Sequence, residues 1–348
     1  MKKLLSLLLV IVLCSCTLLA CGNTRENGTN GSSNESNDPS DNSGGNSNIG
    51  TSEAIKVSVL NGTTGFGMAY LMEQNSNNQL SNKYEINIET DATAIVASLL
   101  SGSIDMAALP TNAAANVYNK SNGKVQVIAI NTLGVLYLAQ KDDQIKEIGD
   151  LDGKTIYVPA QNPTFIAKYI LDSNNITAKL DSTTYDTPAA LQAAVVAGQV
   201  DLAILPQPVI TAAIAGAKNA GHTYTIALDL TEEWNKIPGS EKLVQGCLVA
   251  TKSFIDNNKS AVDAFLAEYE NSINYLNTNV KEVAGLIVKH KIFANATVAE
   301  KAIPSCNVAF MSGYEMKNAM SAFIEAMYGI APSSVGNKIP DNGFYYIP

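Results

Sequence analysis

The feature of this sequence that most limits its possible folds is a phrase that occurs twice. "SGSIDMAALPTNAA" covers residues 101–114 and "AGQVDLAILPQPVI" covers residues 197–210, with Gly, Asp, Ala, Leu and Pro at matching positions. In each copy we expect a helix to end at the glycine and a buried strand to follow. The proline would then begin the next helix, where its missing N–H is no loss. The sequence therefore predicts two similar halves in which strands alternate with helices.

The same alternation runs through the chain from residue 54 onward. Short β-branched runs read as strands and are separated by helical stretches, among them a helix capped by Asp91 and ended by Gly102. Alternation of this kind predicts an α/β fold with mainly parallel sheets. The predicted strands are "AIKVSVL", "KYEINIET", "SIDMAAL", "KVQVIAIN" and "GVLYLAQ" in the first half, and "TIYVPA", "QVDLAIL" and "HTYTIALDL" in the second.

Four further segments complete the predicted architecture. "TGFGMAYLMEQN" reads as one helix that starts at glycine, and "PQPVITAAIAGAKNAG" as a helix that starts at Pro206. "LVQGCLVATKSF" leads back toward the first half, and the chain beyond residue 253 is mostly helical. Since open α/β sheets bind ligands at the carboxyl ends of their strands, two such edges facing each other would form a cleft between two lobes.

The N-terminus carries an export signal. Lys2 and Lys3 precede the apolar run "LLSLLLVIVL", which is too short and wrongly flanked for a membrane-spanning helix. The following "LLAC" resembles a bacterial lipobox, which implies that residues 1–20 are removed and that Cys21 carries the lipid, with acyl chains such as palmitate. The alternative is a secreted protein with a cysteine at this place by chance.

Residues 21–53 consist almost entirely of Asn, Ser, Gly, Asp and Thr after the cysteine. Such a segment has little apolar surface to bury, and we expect a disordered tether. About 295 residues remain for the fold, which is enough for two ordinary domains.

Composition excludes one class of partner. The chain has a net charge of -9, and Arg25 in the tether is its only arginine. Nucleic-acid-binding surfaces are basic and rich in arginine, so we expect no nucleic-acid partner. With Cys14, Cys16 and Cys21 assigned to the signal and the lipid, Cys247 and Cys306 remain in the fold, either as a disulfide or as two buried free thiols.

Several phrases of the chain resemble the extracytoplasmic substrate-binding proteins of ABC importers, and within them the group that binds aliphatic sulfonates, taurine, nitrate and thiamine pyrimidines. They are the lipobox and tether, "LNGTTGFGMAYLME", "SGSIDMAALPTNAA", "IAINTLGVLYLAQ", "IGDLDGKTIYVPAQNPTF" and "GQVDLAILPQPVITAA". The resemblance implies the type II periplasmic-binding-protein fold, in which two α/β lobes close on a ligand by a hinge motion.

The resemblance also implies how the chain is divided. Lobe 1 would comprise residues 54–140 and 247–348, lobe 2 residues 145–243, and the crossings would lie near residues 138–146 and 243–250. The implied partners are a small-molecule solute, an ABC permease with its ATPase, and the membrane through the lipid anchor. We expect a monomer with no cofactor and no metal.

Candidate ligand-binding residues follow the predicted strands, where the cleft would lie. The loop "NGTTGFG" at residues 61–67 lacks the Gly-Lys-Ser/Thr of a P-loop, and Tyr70 stands where a dinucleotide fingerprint has its third glycine. Its glycines could simply form a tight turn, and the other polar residues could cap helices or make turns. The candidates are Thr64, Gly65, Phe66, Thr111, Asn112, Asn131, Thr132, Gln161, Asn162, Thr164, Gln207, Trp234 and Asn307, with Trp234 expected either to wall the cleft or to pack within lobe 2.

The chemistry of these candidates limits the solute. Without an arginine in the fold, no guanidinium can clamp a carboxylate, sulfonate or phosphate in bidentate fashion. An anion would rest on helix N-termini, hydroxyls or a lysine, and amino acids are disfavoured. Pyrimidines, sulfonates and other compact polar molecules stay open.

An enzyme and a surface sensor are the alternatives to an importer component. Only two histidines occur, His222 and His290, and we expect both to face solvent. No metal-ligand cluster, no Gly-x-Ser-x-Gly elbow and no neighbouring cysteine and histidine occur in the sequence. The sequence therefore predicts a protein that binds a solute rather than one that transforms it.

Overall fold

The structure, a computed structural model, describes residues 53–348. The predicted signal sequence, the predicted lipid attachment at Cys21 and nearly all of the predicted tether lie outside these residues. In the described range no helix combines the length and the apolar character that crossing a bilayer requires.

Residues 53–348 form two β-sheets flanked by helices, and both sheets are mixed. The strands are β1 (Ile55–Leu60), β2 (Tyr84–Glu89), β3 (Met106–Pro110), β4 (Val125–Leu133), β5 (Leu136–Gln140), β6 (Thr155–Tyr157), β7 (Lys179–Asp181), β8 (Leu202–Pro206), β9 (Thr225–Asp229), β10 (Val244–Thr251) and β11 (Val308–Met311). The helices are α1 (Thr63–Phe66), α2 (Ala69–Ser76), α3 (Ala92–Ser101), α4 (Thr111–Lys120), α5 (Asn162–Ser173), α6 (Pro188–Val196), α7 (Val209–Asn219), α8 (Leu230–Asn235), α9 (Lys252–Asn257), α10 (Lys259–Thr278), α11 (Val280–Lys289), α12 (Ala296–Ala302) and α13 (Gly313–Ile330).

The first sheet has the order β11-β4-β10-β3-β1-β2 and the second β7-β6-β8-β5-β9. Strands β1, β2 and β3 pair in parallel, as do β6, β7 and β8. Strand β10 is antiparallel to β3 and β4, and β5 is antiparallel to β8 and β9. The expected α/β fold is confirmed, but the sheets are mixed, because β11 runs against β4 and because β5 and β10, which arrive from the other lobe, run against their neighbours. Such a strand enters at the cleft and runs away from it, against its neighbours.

The chain passes between the sheets earlier than the sequence indicated. Strand β4 ends at Leu133 and β5, already paired in the second sheet, begins at Leu136. The return segment lies between Asn235, the end of α8, and Val244, the start of β10. The first passage precedes the expected range of residues 138–146, and the second begins before the expected range of 243–250 and overlaps its start, because β5 and β10 belong wholly to the sheets that they enter.

Apolar side chains cover both faces of the first sheet, and one of these cores continues into the second lobe. That core joins Leu109 of β3, Ile204 of β8 and Phe323 of α13. Cys247 lies in this core, whereas Cys306 lies in the core on the other side, with α2 and α10. The sheet therefore separates two buried free thiols, and the disulfide alternative is excluded.

Both ends of α3 follow the capping rules that the sequence predicts. The Asp91 carboxylate accepts from the N–H of Thr93 at the start of α3, and Gly102 ends that helix with a φ of 74°. The predicted helix "TGFGMAYLMEQN" is instead divided into α1 and α2. Ser272 of α10 accepts from the N–H of Leu71 and donates to the carbonyl of Gly67, so tertiary hydrogen bonds serve the backbone at this break.

The second copy of the repeated phrase also departs from prediction. Helix α4 begins directly after Pro110, but α7 begins at Val209 rather than at Pro206. A second proline, Pro208, disfavours the helical conformation at Gln207 before it, so the helix excludes Pro206 and Gln207 and begins at Val209.

Candidate functional site

The carboxyl ends of strands from both lobes meet at one place. The hydroxyl of Thr63, at the start of α1, donates to the backbone oxygen of Gln207 over 2.8 Å. The hydroxyl of Tyr137, in β5, donates to the backbone oxygen of Ser305 over 2.9 Å. Burial and the nearby Asp229 carboxylate raise the pKa of Tyr137, which keeps this donor protonated. The two edges are thus joined by hydrogen bonds between lobes.

Polar residues follow one another along this junction. Asn131 donates to the backbone oxygen of Thr64 over 3.4 Å and accepts from Thr132 over 3.1 Å. Thr132 pairs with Gly246 in β10, which pairs in turn with Pro110 before α4. We call the following uncharged residues the cleft-edge set: Thr63, Thr64, Thr111, Asn112, Asn131, Thr132, Asn162 and Gln207.

The two lobes supply the set from equivalent places. Thr111 and Asn112 open α4 beyond β3, while Asn162 opens α5 beyond β6. Strand β6 neighbours β8, whose end leads to Gln207. The sequence therefore brings these residues to facing edges through the order of its strands.

Three members of the set have a buried oxygen without a hydrogen-bond partner. They are Thr111 Oγ1, Asn112 Oδ1 and Asn162 Oδ1, and their side chains are 0%, 6% and 8% exposed. Buried polar atoms in proteins are nearly always paired, because an unpaired one loses its hydration without compensation. Thr111, Asn112 and Asn162 therefore carry polar groups that the described chain does not pair. In the described residues, other such atoms are Gln74 Oε1, Asn82 Oδ1, Thr231 Oγ1 and Tyr269 Oη.

The helices that start at this junction also lack side-chain caps. No side chain accepts from the first-turn N–H groups of α4 or α5. By contrast, Asp91 caps α3 after β2, and Thr187 caps α6 after β7. Uncapped N–H groups are donors, so α4 and α5 present donors beside the unpaired oxygens.

Other predicted site residues have their polar groups engaged within the protein. Thr64 Oγ1 donates to Leu60 over 3.5 Å, Thr164 Oγ1 donates to Pro159 over 2.8 Å, and Asn307 Nδ2 donates to Gly134 over 2.6 Å, each time to the backbone oxygen. Together with Asn131 and Thr132, these residues fix the local backbone.

The remaining candidates are Gly65, Phe66, Gln161 and Trp234, and they differ in how exposed they are. A Cβ at Gly65 would lie 2.6 Å from the Leu60 carbonyl oxygen, so this position requires glycine. Phe66 is fully buried and packs edge-on against Phe293. Gln161 is exposed at the N-cap of α5, with a φ of 69°.

Trp234 is enclosed rather than open to the cleft. Its ring lies against Tyr169 of α5 and Phe323 of α13, and its indole N–H donates to the backbone oxygen of Glu241 over 2.7 Å. Of the two roles that the sequence left open, these contacts favour packing. Its donor is already satisfied, so a ligand would meet no free polar group on this side chain.

The residues that sequence reasoning missed are those that join the lobes. They are Thr63, Tyr137 and Ser305, which the sequence motifs do not single out. A hydroxyl that bonds a backbone carbonyl far away in the chain leaves no local sequence signal.

Besides Tyr137 and the nearby Asp229, the described chain has titratable groups in its two histidines and in a cluster at the far end of the second sheet. His290 Nε2 lies 3.0 Å from a Glu73 oxygen, and His222 packs against Gly198. In residues 53–348 no group of three or more His, Cys, Asp or Glu side chains could hold a metal ion. A cavity of about 280 Å³ is lined by Asp142, Lys154 and Asp201, but it lies at the opposite ends of the second sheet's strands.

Comparison with known proteins identifies the family. The model of the phosphonate periplasmic substrate-binding proteins of ABC transporters matches residues 69–298, more than half of the chain. The chain belongs to this family. It is the substrate-binding component of an ABC transporter, and binding proteins of this family are periplasmic and deliver small solutes to a permease. The resemblance seen in the sequence motifs is confirmed at this level. The family is one of transport proteins and not of enzymes.

Solved structures confirm the periplasmic-binding-protein fold with two lobes. A crystal structure of an ABC transporter from Parabacteroides distasonis is 24% identical, with a TM-score of 0.71, and covers 84% of this chain and 98% of its own. The aliphatic sulphonate-binding protein SsuA of Escherichia coli is 14% identical, with a TM-score of 0.68, covering 86% and 93%. The alkanesulfonate-binding SsuA of Xanthomonas axonopodis, solved with MOPS, is 12% identical, with a TM-score of 0.59, covering 83% and 94%. No curated protein matches the sequence.

Proposed function

We propose that this protein is a lipid-anchored receptor that captures a small polar solute between its lobes at Thr111, Asn112 and Asn162. The observation that carries the proposal is the set of buried, unpaired oxygens on both lobes where strand ends face each other. A solute that bridges them would satisfy atoms of both lobes only in the closed form. Closing would thus follow from a shift of population toward the form that the permease recognises.

The proposed localisation of the protein follows from the sequence. The lipobox-like "LLAC" and the polar tether support attachment through Cys21, and the protein would act as a monomer with the ABC permease and its ATPase. Residues 54–140 and 247–348 would form lobe 1 and residues 145–243 lobe 2. The start of β5 at Leu136 and of β10 at Val244 supports a proposal in which the chain passes between the lobes at residues 133–136 and 235–244.

Binding without catalysis is part of the proposal. The cleft-edge set contains amides and hydroxyls and no titratable group, whereas acid, base or nucleophilic catalysis needs such groups in the site. Of the two histidines, His290 lies 3.0 Å from a Glu73 oxygen and His222 lies beside Gly198. A sensor lipoprotein would have the same fold and the same localisation. The test must therefore measure transport as well as binding.

The test begins with thermal unfolding of the purified protein against pyrimidines, thiamine, riboflavin, sulfonates, phosphonates, nitrate and amino acids. A solute at about a hundred times its Kd should raise the free energy of unfolding by about 2.7 kcal/mol, a shift of several degrees. Asn162→Leu should abolish this shift while the variant stays folded, and Asn257→Leu, at an exposed asparagine of α9, is the matched control.

Uptake of the responding solute by cells that lack this gene would then distinguish import from sensing. Loss of uptake supports the proposal. A response that survives both Asn112→Leu and Asn162→Leu would place the binding site elsewhere, and intact uptake would favour the sensor.

A further inference from the structure

The first passage between the lobes is held in place by residues of the first lobe. The amide Nδ2 of Asn307 donates to the backbone oxygen of Gly134 over 2.6 Å, and the backbone oxygen of Asn307 accepts from the N–H of Leu133 over 3.0 Å. The N–H of Val135 donates to Oε1 of Gln245 over 2.7 Å. Backbone groups of a connecting segment can be left to water, but three groups of this passage are bonded to one lobe.

Asn307 makes two of these bonds from an uncommon backbone conformation. Its φ is 44°, in the left-handed region that asparagine adopts more readily than most residues. In this conformation its backbone oxygen and its amide nitrogen both reach the passage. Two residues earlier, the backbone oxygen of Ser305 accepts from the hydroxyl of Tyr137 in β5. The segment therefore holds β5 as well as the passage that leads into it.

The two passages are packed against each other at Gly134. A Cβ at this position would overlap Oγ1 of Thr231, in α8, and would lie 2.8 Å from Leu243, at the end of the second passage. Thr231 Oγ1 is buried and has no hydrogen-bond partner. The first passage thus has no room for a side chain on the face that meets the second.

Beside the passages the lobes share an apolar contact. Trp234 lies between Tyr169 of α5 and Phe323 of α13, and its indole N–H donates to the backbone oxygen of Glu241 in the second passage. Since these groups are packed on both sides, a change of angle between the lobes has to be taken up by the few residues of the passages.

We propose that Asn307 and Gln245 are a hinge clamp, which fixes the angle between the lobes by holding the first passage in one arrangement. The contact of Gly134 with Thr231 sets how closely the two passages approach. This inference rests on the receptor function proposed above. It makes Asn307, a residue that the sequence predicted to contact the solute, a positioning residue that acts on affinity through the population of the closed form.

Small-angle scattering of the purified protein without added solute tests the clamp. Asn307→Asp keeps the size of the side chain but replaces its donor by a carboxylate oxygen that faces the Gly134 carbonyl. We expect the ratio of open to closed molecules to rise about three- to tenfold, the effect of one lost hydrogen bond. Asn257→Asp is the matched control, because Asn257 Nδ2 also donates to a backbone oxygen, that of Ser253, over 2.8 Å. Identical curves for wild type and Asn307→Asp overturn the inference.

Gly134→Ala tests the packing of the passages and has its own rescue. The added methyl group overlaps Thr231 Oγ1, so the passages must separate and the open fraction should rise. Thr231→Ala removes that oxygen and should return the double variant to the wild-type curve, which would not happen if Gly134→Ala only destabilised the fold. Circular dichroism and the fluorescence of Trp234 check that each variant is folded. An opening that persists in the double variant contradicts the proposed contact.

Binding measurements separate this inference from the proposed function. The probes are methanesulfonate, methylphosphonate and cytosine, and any that binds wild type should bind Asn307→Asp about three- to tenfold more weakly. Equal affinity together with unchanged scattering means that the clamp is wrong while the receptor function stands. Opening in Asn307→Asp together with an affinity that survives both Asn112→Leu and Asn162→Leu means that the clamp stands and the proposed site is wrong. Scattering decides on the clamp whether or not a probe binds.

Discussion

The two copies of the repeated phrase occupy equivalent places in the two lobes and yet present different groups to the cleft. In the first copy α4 begins directly after Pro110, which leaves buried oxygens of Thr111 and Asn112 without partners. In the second copy the side-chain oxygen of Gln207 is held by Thr211, and its backbone oxygen accepts from Thr63 of the other lobe. The first copy thus has unused capacity for a solute, whereas the second also holds the lobes together.

This difference arises from a single additional proline. Pro208 keeps Gln207 out of the helix, and the carbonyl of Gln207 is available to Thr63 rather than to a helical N–H. Two strands with the same sequence pattern can therefore have different roles, one in ligand binding and the other in closure of the lobes.

The largest expected difference between the copies concerns affinity. Asn112→Leu removes a buried acceptor and should weaken binding of a responding solute by about 100-fold. Gln207→Leu removes one amide donor but keeps the backbone carbonyl that Thr63 uses, so we expect a loss of about tenfold. Calorimetry on both variants measures the ratio, with far-ultraviolet circular dichroism to check folding. Equal losses would remove the distinction between the copies.

The glycines that end the preceding helices should differ in stability. Gly102 and Gly198 have φ values of 74° and 68°, so alanine is strained at both. A Cβ at Gly102 meets open space, whereas at Gly198 it would lie 2.6 Å from the His222 ring. We expect Gly102→Ala to lower the free energy of unfolding by about 1 kcal/mol and Gly198→Ala by about 1.5–2 kcal/mol, since the ring must also move. Urea denaturation would measure both, and a larger effect at Gly102 would contradict this account.

The elements of the fold that could be predicted are those governed by local rules. Asp91 and Gly102 bound α3 as capping rules require, and the buried strands of the repeated phrases lie where the apolar runs indicated. The short strand β7, with exposed and half-buried residues, has no comparable signal. Long-range pairing is also invisible locally, so the antiparallel insertion of β10 was missed.

The candidate site could be predicted in position but not in detail. That polar residues after strand ends would collect at a cleft followed from the topology of α/β sheets. Which of them keep an unpaired group depends on tertiary neighbours. Asn131 and Asn162 are equivalent as sequence signals, yet Asn131 bonds Thr64 and Thr132 whereas the buried oxygen of Asn162 has no partner.

Closure offers a smaller test of the second copy. Thr63→Val removes the hydroxyl that donates to Gln207 and should weaken solute binding by about fivefold, because a hydrogen bond that joins the lobes contributes about 1 kcal/mol to the closed form. Thr278→Val, on the exposed side of α10, removes a similar bond to the Asn274 carbonyl and should leave affinity unchanged. Small-angle scattering of Thr63→Val should show a larger fraction of open molecules. An unchanged affinity would mean that the solute alone holds the lobes together.

The smallest expected effect concerns the orientation of the Gln207 side chain. Thr211→Val removes the hydroxyl that holds Oε1, so the amide can rotate and present either end to the solute. Because the amide nitrogen remains available in part of the rotamer population, we expect affinity to fall only about two- to threefold. Calorimetry can measure this change if Gln207→Leu is included as the limiting case. A loss in Thr211→Val as large as in Gln207→Leu would mean that the Thr211 bond alone sets the donor. No loss in either variant would leave the second copy with closure as its only role and assign the solute to Thr111, Asn112 and Asn162.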